Sequence, residues 1–232
     1  GLHSRIDATR RLVEARSKVG NFYVNRNQIG AVVESQPFGG EGLSGTGPKA
    51  GGPLYLYRLL AVRPTGQPAW EEATHDHPLA LSLPGPTGEQ NTYRLLPRGR
   101  VLGVAATEAG AQAQWAAAQL TGNALLLLDT PQARQWRDKQ DAAARERIEL
   151  VQDGGIDSAE YDAVLFEGDS DALRELNRRV AARPGPILSV QGLTPDALAA
   201  GAAYVPDRLL TECSLSVNTA AAGGNASLMT IG

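Results

Sequence analysis

Between Arg100 and Val190 the chain alternates strand and helix signals at short intervals, and this alternation restricts the fold more than any other feature. Arg100 to Ala106 reads as a strand, Glu108 to Leu120 as an Ala-rich helix, Ala124 to Leu128 as a strand and Thr130 to Ile148 as helical. Tyr161 to Phe166 is again strand-like, Asp169 to Ala182 is a helix with Asp169 and Ser170 as candidate N-caps, and Pro186 to Val190 is a further strand. Short strands separated by helical stretches pair in parallel, because each helix carries the chain back across a face of the sheet. The expected class is therefore α/β, a parallel sheet with helices on both faces.

The flanking regions carry weaker signals. Ser4 to Ser17 has Ile6, Leu12, Val13 and Ala15 at roughly helical spacing, with Ser4 available as N-cap, and Asn21 to Asn25 reads as a short strand after the breaker Gly20. Residues 26 to 52 are dense in Gly, Pro and Ser, which predicts a loop, ordered for function or disordered, and Pro53 to Leu60 reads as a short amphipathic helix. Arg63 to Asn91 is rich in Pro and Gly without sustained periodicity and reads as a linker. Near the far end, Ser214 to Gly223 repeats a theme of the beginning: a strand-like run ends in Val-Asn and a glycine follows, as Val24-Asn25 leads to Gly30 and Val217-Asn218 to Gly223. A duplicated unit would account for it.

Composition excludes several functions. The net charge over 232 residues is −3, and basic residues are interleaved with acidic ones rather than gathered into a stripe that could neutralise phosphates, which argues against nucleic-acid binding. The lone cysteine, Cys213, forms no internal disulfide, and no apolar run approaches the ~20 residues of a membrane span. A soluble protein of a reducing, cytoplasmic compartment is expected, and an Ala- and Gly-rich α/β protein suits the composition. Gly1 at the start and a single Met, at position 229, point to a chain cut from a longer one.

Two glycine patterns are decoys. Gly42 to Lys49 suggests a phosphate loop, but the lysine follows Pro48 and no Ser or Thr follows it to bind magnesium; Gly45, Gly47 and Gly51 neither follow a strand nor open a helix. His75 and His77 flank Asp76 in a Pro-rich stretch with no third histidine nearby, which reads as a solvated loop, so no metal site is expected.

The most specific motif is Val24-Asn25-Arg26-Asn27-Gln28-Ile29-Gly30-Ala31-Val32-Val33, followed by Gln36-Pro37-Phe38-Gly39-Gly40-Glu41 and the glycine-rich run to Pro53. It resembles the end of an aldehyde dehydrogenase catalytic domain, and most closely the L-glutamate γ-semialdehyde (pyrroline-5-carboxylate) dehydrogenase module of the proline utilization A family. The resemblance implies that the catalytic cysteine lies well upstream, so that no catalytic residue is present here and the chain is a C-terminal portion, inactive alone. Cys213, on the other side of the motif and in a strand-like setting, is expected to be an inert packed thiol. By the same resemblance Gly30 and Ala31 lie in the loop that holds the substrate's α-carboxylate, where amides beside a glycine can converge on an anion. Phe38 matches the aromatic that packs on the substrate's aliphatic part. Read from chemistry alone, Gly30 could instead simply turn the chain and Phe38 fill a core. Glu34 departs from the small residue expected there, and a carboxylate pointing inward would repel the substrate.

A second match, Ser216 to Ala226, resembles the terminal run of the longer members of that family, in which an extra, non-catalytic domain packs on the catalytic modules. Residues 1–62 are thus expected to end the catalytic domain, 63–212 to form a Rossmann-like aldehyde-dehydrogenase-superfamily domain without catalytic residues, and 213–232 a docking motif, its apolar Leu215, Val217, Leu228, Met229 and Ile231 covered by a neighbour. The parent is implied to oxidise proline with FAD in one module and the resulting glutamate semialdehyde with NAD in another. Expected partners are the remainder of that polypeptide and glutamate semialdehyde, with a homo-oligomer compatible, and no cofactor is expected on this part alone. Two other readings stand: an autonomous structural lid or assembly module, and an independent nucleotide-binding domain, against which the lack of a glycine fingerprint after Val101 to Ala106 counts.

Overall fold

The computed structural model describes residues 1–60 and 80–220. The elements run α1 (Asp7–Arg16), β1 (Asn21–Val24), β2 (Ala80–Leu83), β3 (Glu89–Pro97), β4 (Arg100–Val104), α2 (Glu108–Leu120), β5 (Ala124–Leu128), α3 (Pro131–Asp138), α4 (Ala142–Glu146), β6 (Ile148–Val151), β7 (Ala163–Glu167), α5 (Ser170–Ala181), β8 (Val190–Leu193), α6 (Pro195–Ala199) and β9 (Leu210–Asn218). They divide into two compact units, one holding 1–60, 80–95 and 212–220 of the described residues and the other 96–211.

The second unit is a parallel sheet in the order β6-β5-β4-β7-β8. Alternation of side chains across the pleat divides its core. Leu125 and Leu127 of β5 pack with Trp115, Trp136 and Ala144 from α2, α3 and α4, while Leu126 packs with Phe166, Leu176 and Val180 on the face that α5 covers. α2 buries Ala111, Trp115 and Ala118 at helical spacing, and its N-cap Thr107 accepts the Gly110 amide at 2.9 Å. Helices thus cover both faces, as the strand and helix alternation predicts.

Several boundaries differ from the expected ones for local reasons. The segment Thr130 to Ile148 is two helices and the start of a strand, because Asp141 turns to accept the Ala144 amide at 2.8 Å and opens α4 as a separate N-cap. The strand expected from Pro186 begins at Val190. Asp169 caps α5 as expected, accepting the Asp171 and Ala172 amides.

The first unit is a sheet in the order β1-β9-β3-β2, with β1 parallel to β9 and β2 antiparallel to β3. The repeated Val-Asn theme becomes a contact here: Val24 lies opposite Val217 in the parallel register, and Phe22, Val24, Leu215 and Val217 form one cluster with Leu2 and Val13. Both runs place alternate residues in that one cluster. Ser4 does not cap α1, which starts at Asp7; its hydroxyl accepts the Ile6 amide at 3.1 Å. The helix expected over Pro53 to Leu60 is one 3-10 turn, Leu56–Arg58. The stretch read as a linker contains β2 and the start of β3, a hairpin in which Leu81 pairs with Tyr93. Its residues 61–79, with His75 and His77, and the terminal run beyond position 220 lie outside the described residues. No helix among the described residues is long and apolar enough to cross a membrane.

Candidate functional site

The loop that leaves β1 turns at once. Asn25, at φ 55°, binds back to the chain's start, accepting the Ser4 amide at 2.8 Å and donating to the Ser4 carbonyl at 2.9 Å. The Asn27 side chain accepts the Ile29 amide at 3.2 Å, and Gly30 then takes φ 77°, a left-handed conformation in which a glycine carries no steric penalty. Gly30, Ala31 and Phe38 are all exposed, Phe38 at 54 %. The Gly30 and Ala31 amides meet no acceptor among the described residues. Phe38 is held by its backbone, which exchanges hydrogen bonds with Ala50 at 3.0 and 2.8 Å, and its ring fills no core of this unit.

Between Gly30 and Phe38 the chain closes on Gln36. The Gln36 amide reaches the Val32 carbonyl at 2.8 Å, while its side chain accepts the Val32 amide and donates to Glu89 Oε1 at 2.6 Å. Glu89 also accepts from Arg26 Nη1 at 2.5 Å and from Asn91 at 3.0 Å, and the Arg26 guanidinium lies 5.3 Å from the centre of the Tyr23 ring. One carboxylate from β3 thereby ties together both sides of the loop that carries Gly30 and Ala31.

Glu34, inside this turn, is exposed and sits at φ 71°. It is therefore solvated, as a carboxylate that does not point inward would be, but its backbone is strained. Glu34→Gly is expected to raise stability by about 0.5–1 kcal/mol, the left-handed penalty of roughly 1–2 kcal/mol less the entropy a glycine adds to the unfolded chain. Urea midpoints of the two proteins measure it, and an unchanged or lower midpoint would refute the backbone account.

Beneath the loop lies a second polar cluster. Lys49 is 1 % exposed and its Nζ donates to the Gly39 carbonyl at 2.6 Å and to Asn21 Oδ1 at 3.1 Å, so the lysine of the apparent phosphate loop is a buried clamp on the Pro-Phe-Gly-Gly turn. Burial draws its pKa below the usual lysine range, with nearby Glu212 opposing. Glu212, 5 % exposed on β9, accepts from the Tyr93 hydroxyl at 2.7 Å and the Lys49 amide at 3.2 Å. Its carboxyl is pushed up by burial against the pull of Tyr93 and Lys49. Cys213 is half-buried, and burial raises its thiol pKa too, which disfavours the thiolate a nucleophile needs. Among the described residues no group of three or more His, Cys, Asp or Glu could hold a metal ion.

Sequence reasoning thus singles out the exposed residues of this loop and misses the polar residues that hold it: Glu89, Lys49 and Glu212. Little local marks them, since the bonds from Glu89 to Gln36 and from Glu212 to Lys49 span 53 and 163 positions of the chain.

No protein-family model matches the chain. Among curated proteins, the whole chain aligns with the bifunctional protein PutA of Escherichia coli (strain K12) at 48 % identity over 275 residues, 100 % of this chain and 20 % of that protein. The bifunctional protein PutA of Rhizobium meliloti is 42 % identical over 264 residues, again across 100 % of this chain and 21 % of that protein. A shorter stretch is 52 % identical over 52 residues to the mitochondrial delta-1-pyrroline-5-carboxylate dehydrogenase of Mus musculus, 22 % of this chain and 9 % of that protein. The solved structure of proline utilization A (PutA) from Corynebacterium freiburgense shares the fold, with a TM-score of 0.56 at 20 % identity over 95 % of this chain and 23 % of that one. The chain spans about a fifth of the length of the curated relatives it matches. Matched from end to end at this identity, the chain is similar to one segment of these bifunctional PutA proteins.

Proposed function

We propose that this chain is part of an enzyme that oxidises proline to glutamate, and that its first unit holds the intermediate L-glutamate γ-semialdehyde by its carboxylate. The observation that carries the reading is the loop itself. Gly30 in a left-handed turn leaves its own amide and that of Ala31 without an acceptor among the described residues, and Phe38 stands exposed on the same folded segment. Two unpaired amides beside a residue without a side chain can receive a carboxylate, and an aromatic surface can cover the aliphatic carbons behind it. The likeness of 52 residues to a pyrroline-5-carboxylate dehydrogenase supports the same substrate.

On this reading the first unit, in which 80–95 and 212–220 join 1–60 among the described residues, completes a dehydrogenase catalytic domain, and the second, 96–211, is a non-catalytic domain. The nucleophile, the NAD of the dehydrogenase and the FAD of the proline oxidase belong to the rest of the polypeptide. Cys213, with its raised pKa, takes no part.

The test is NAD-dependent oxidation of glutamate semialdehyde by the chain alone and after mixing with the remaining catalytic portion of a PutA protein. No turnover alone and restored turnover on mixing are expected. In the mixture Gly30→Ala should raise KM at least about tenfold, the worth of one lost hydrogen bond to a charged group, with kcat much less affected. Turnover by the chain alone would overturn the assignment and make Cys213 the residue to substitute next.

A further inference from the structure

In the second unit the order β6-β5-β4-β7-β8 reverses direction between β4 and β7. Open α/β sheets bind their ligands at such a point, outside the carboxyl ends of the strands, with the phosphates of a dinucleotide on the helix that follows the first strand. In this unit that helix is α2, and what stands at its N-terminus is a side chain. Glu167, the last residue of β7, is 2 % exposed. Its Oε2 accepts the amides of Ala106 and Thr107, both at 2.9 Å, and its Oε1 accepts the Thr107 hydroxyl at 2.7 Å. Gly110 makes room for it: a Cβ there would lie 1.8 Å from Oε2. The positive end of the helix dipole thus faces a negative charge from within the chain, bound by the two amides that lead into the helix and by its N-cap hydroxyl.

A second place in the crevice is also taken. Dinucleotide folds keep a carboxylate near the end of the next strand to bind ribose hydroxyls. Asp129, directly after β5, occupies that position, but the Arg134 guanidinium grips it from Nε and from Nη2, the latter at 2.8 Å, and Gln152 donates to it as well. The residues present therefore do not fit a dinucleotide.

We infer that Glu167 is the resident anion of this site. The unit has the form of a nucleotide-binding fold whose phosphate place is filled by its own carboxylate, and removing that carboxylate uncovers a site for a small free one. The inference does not rest on the reading of the Gly30 loop, which lies in the other unit.

The experiment compares the thermal midpoint of the full chain and of Glu167→Ala in sodium acetate and in sodium chloride at equal ionic strength. The alanine variant is expected to melt lower and to regain about 2–4 °C in acetate relative to chloride, by mass action on the vacated site. The unaltered chain should not distinguish the two salts and should not be stabilised by NAD. Glu167→Gln keeps the site filled without the charge, and should melt below the unaltered chain with no preference for acetate. Equal midpoints of the alanine variant in both salts, stabilisation of the unaltered chain by NAD, or a glutamine variant as stable as the unaltered chain would each overturn the inference. If the alanine variant folds in neither salt, the glutamine comparison decides.

Discussion

Glu212→Ala is expected to lower the stability of the chain by about 2–6 kcal/mol, since it removes the acceptor of two buried donors and each such loss costs roughly 1–3 kcal/mol. These are the Tyr93 hydroxyl, on a residue 1 % exposed, and the Lys49 amide. Glu212→Gln, which retains an acceptor and the volume, should lose much less at neutral pH. The two variants also separate hydrogen bonding from charge. Burial raises the Glu212 pKa in the folded state, so the native protein binds the proton more tightly than the unfolded chain does. The stability that this contributes is fully present below the unfolded value, about 4.3, and is lost as pH rises through the higher folded value. Relative to the glutamine variant, the unaltered chain should therefore lose stability as pH is raised from the acid range toward neutrality. Denaturant midpoints of both proteins across that range measure the difference, and a gap that moves the other way would mean that Tyr93 and Lys49 outweigh the burial.

Glu89→Ala should cost about 3 kcal/mol and loosen the loop that carries Gly30 and Ala31. The side chains of Arg26 and Glu89 are only 15 % and 14 % exposed, and removing one partner of a nearly buried pair leaves an uncompensated charge. Gln36 and Asn91 lose an acceptor in the same step. Hydrogen exchange over residues 25–37 should accelerate while exchange in the second unit stays unchanged. The double variant Arg26→Ala, Glu89→Ala should cost less than the sum of the single ones, because no charge is then left unpaired. In the reconstituted enzyme the single variant should raise KM more than it lowers kcat. Strict additivity of the two substitutions would show that the pair does not hold the loop.

The second unit was legible in the sequence wherever the signal was local. The helix Glu108 to Leu120 and the strand Ala124 to Leu128 stand where periodicity puts them, and Asp169 caps the helix it precedes. Where two local preferences compete, the reading lost resolution: Asp141 broke one expected helix into two by capping the second. β2 and β3 were hidden because their hairpin lies in a stretch whose prolines and glycines carry the stronger local signal, while its pairing comes from strands that meet only on folding. In the candidate site the motif around Gly30 and Phe38 was legible, and the carboxylates and lysine that support it were not.

The sequence by itself determined the class of the fold, the alternation of parallel strands with covering helices, and the motif by which the chain resembles the family. Helical and pleated periods act over a few residues, so a short window contains them. The tertiary structure alone decided that Val24 faces Val217, that Lys49 is a buried clamp rather than a phosphate ligand, and that Glu167 fills the anion place of α2. A buried polar group must find its partner wherever the chain brings one, and that choice depends on the path of the whole chain rather than on neighbours in sequence.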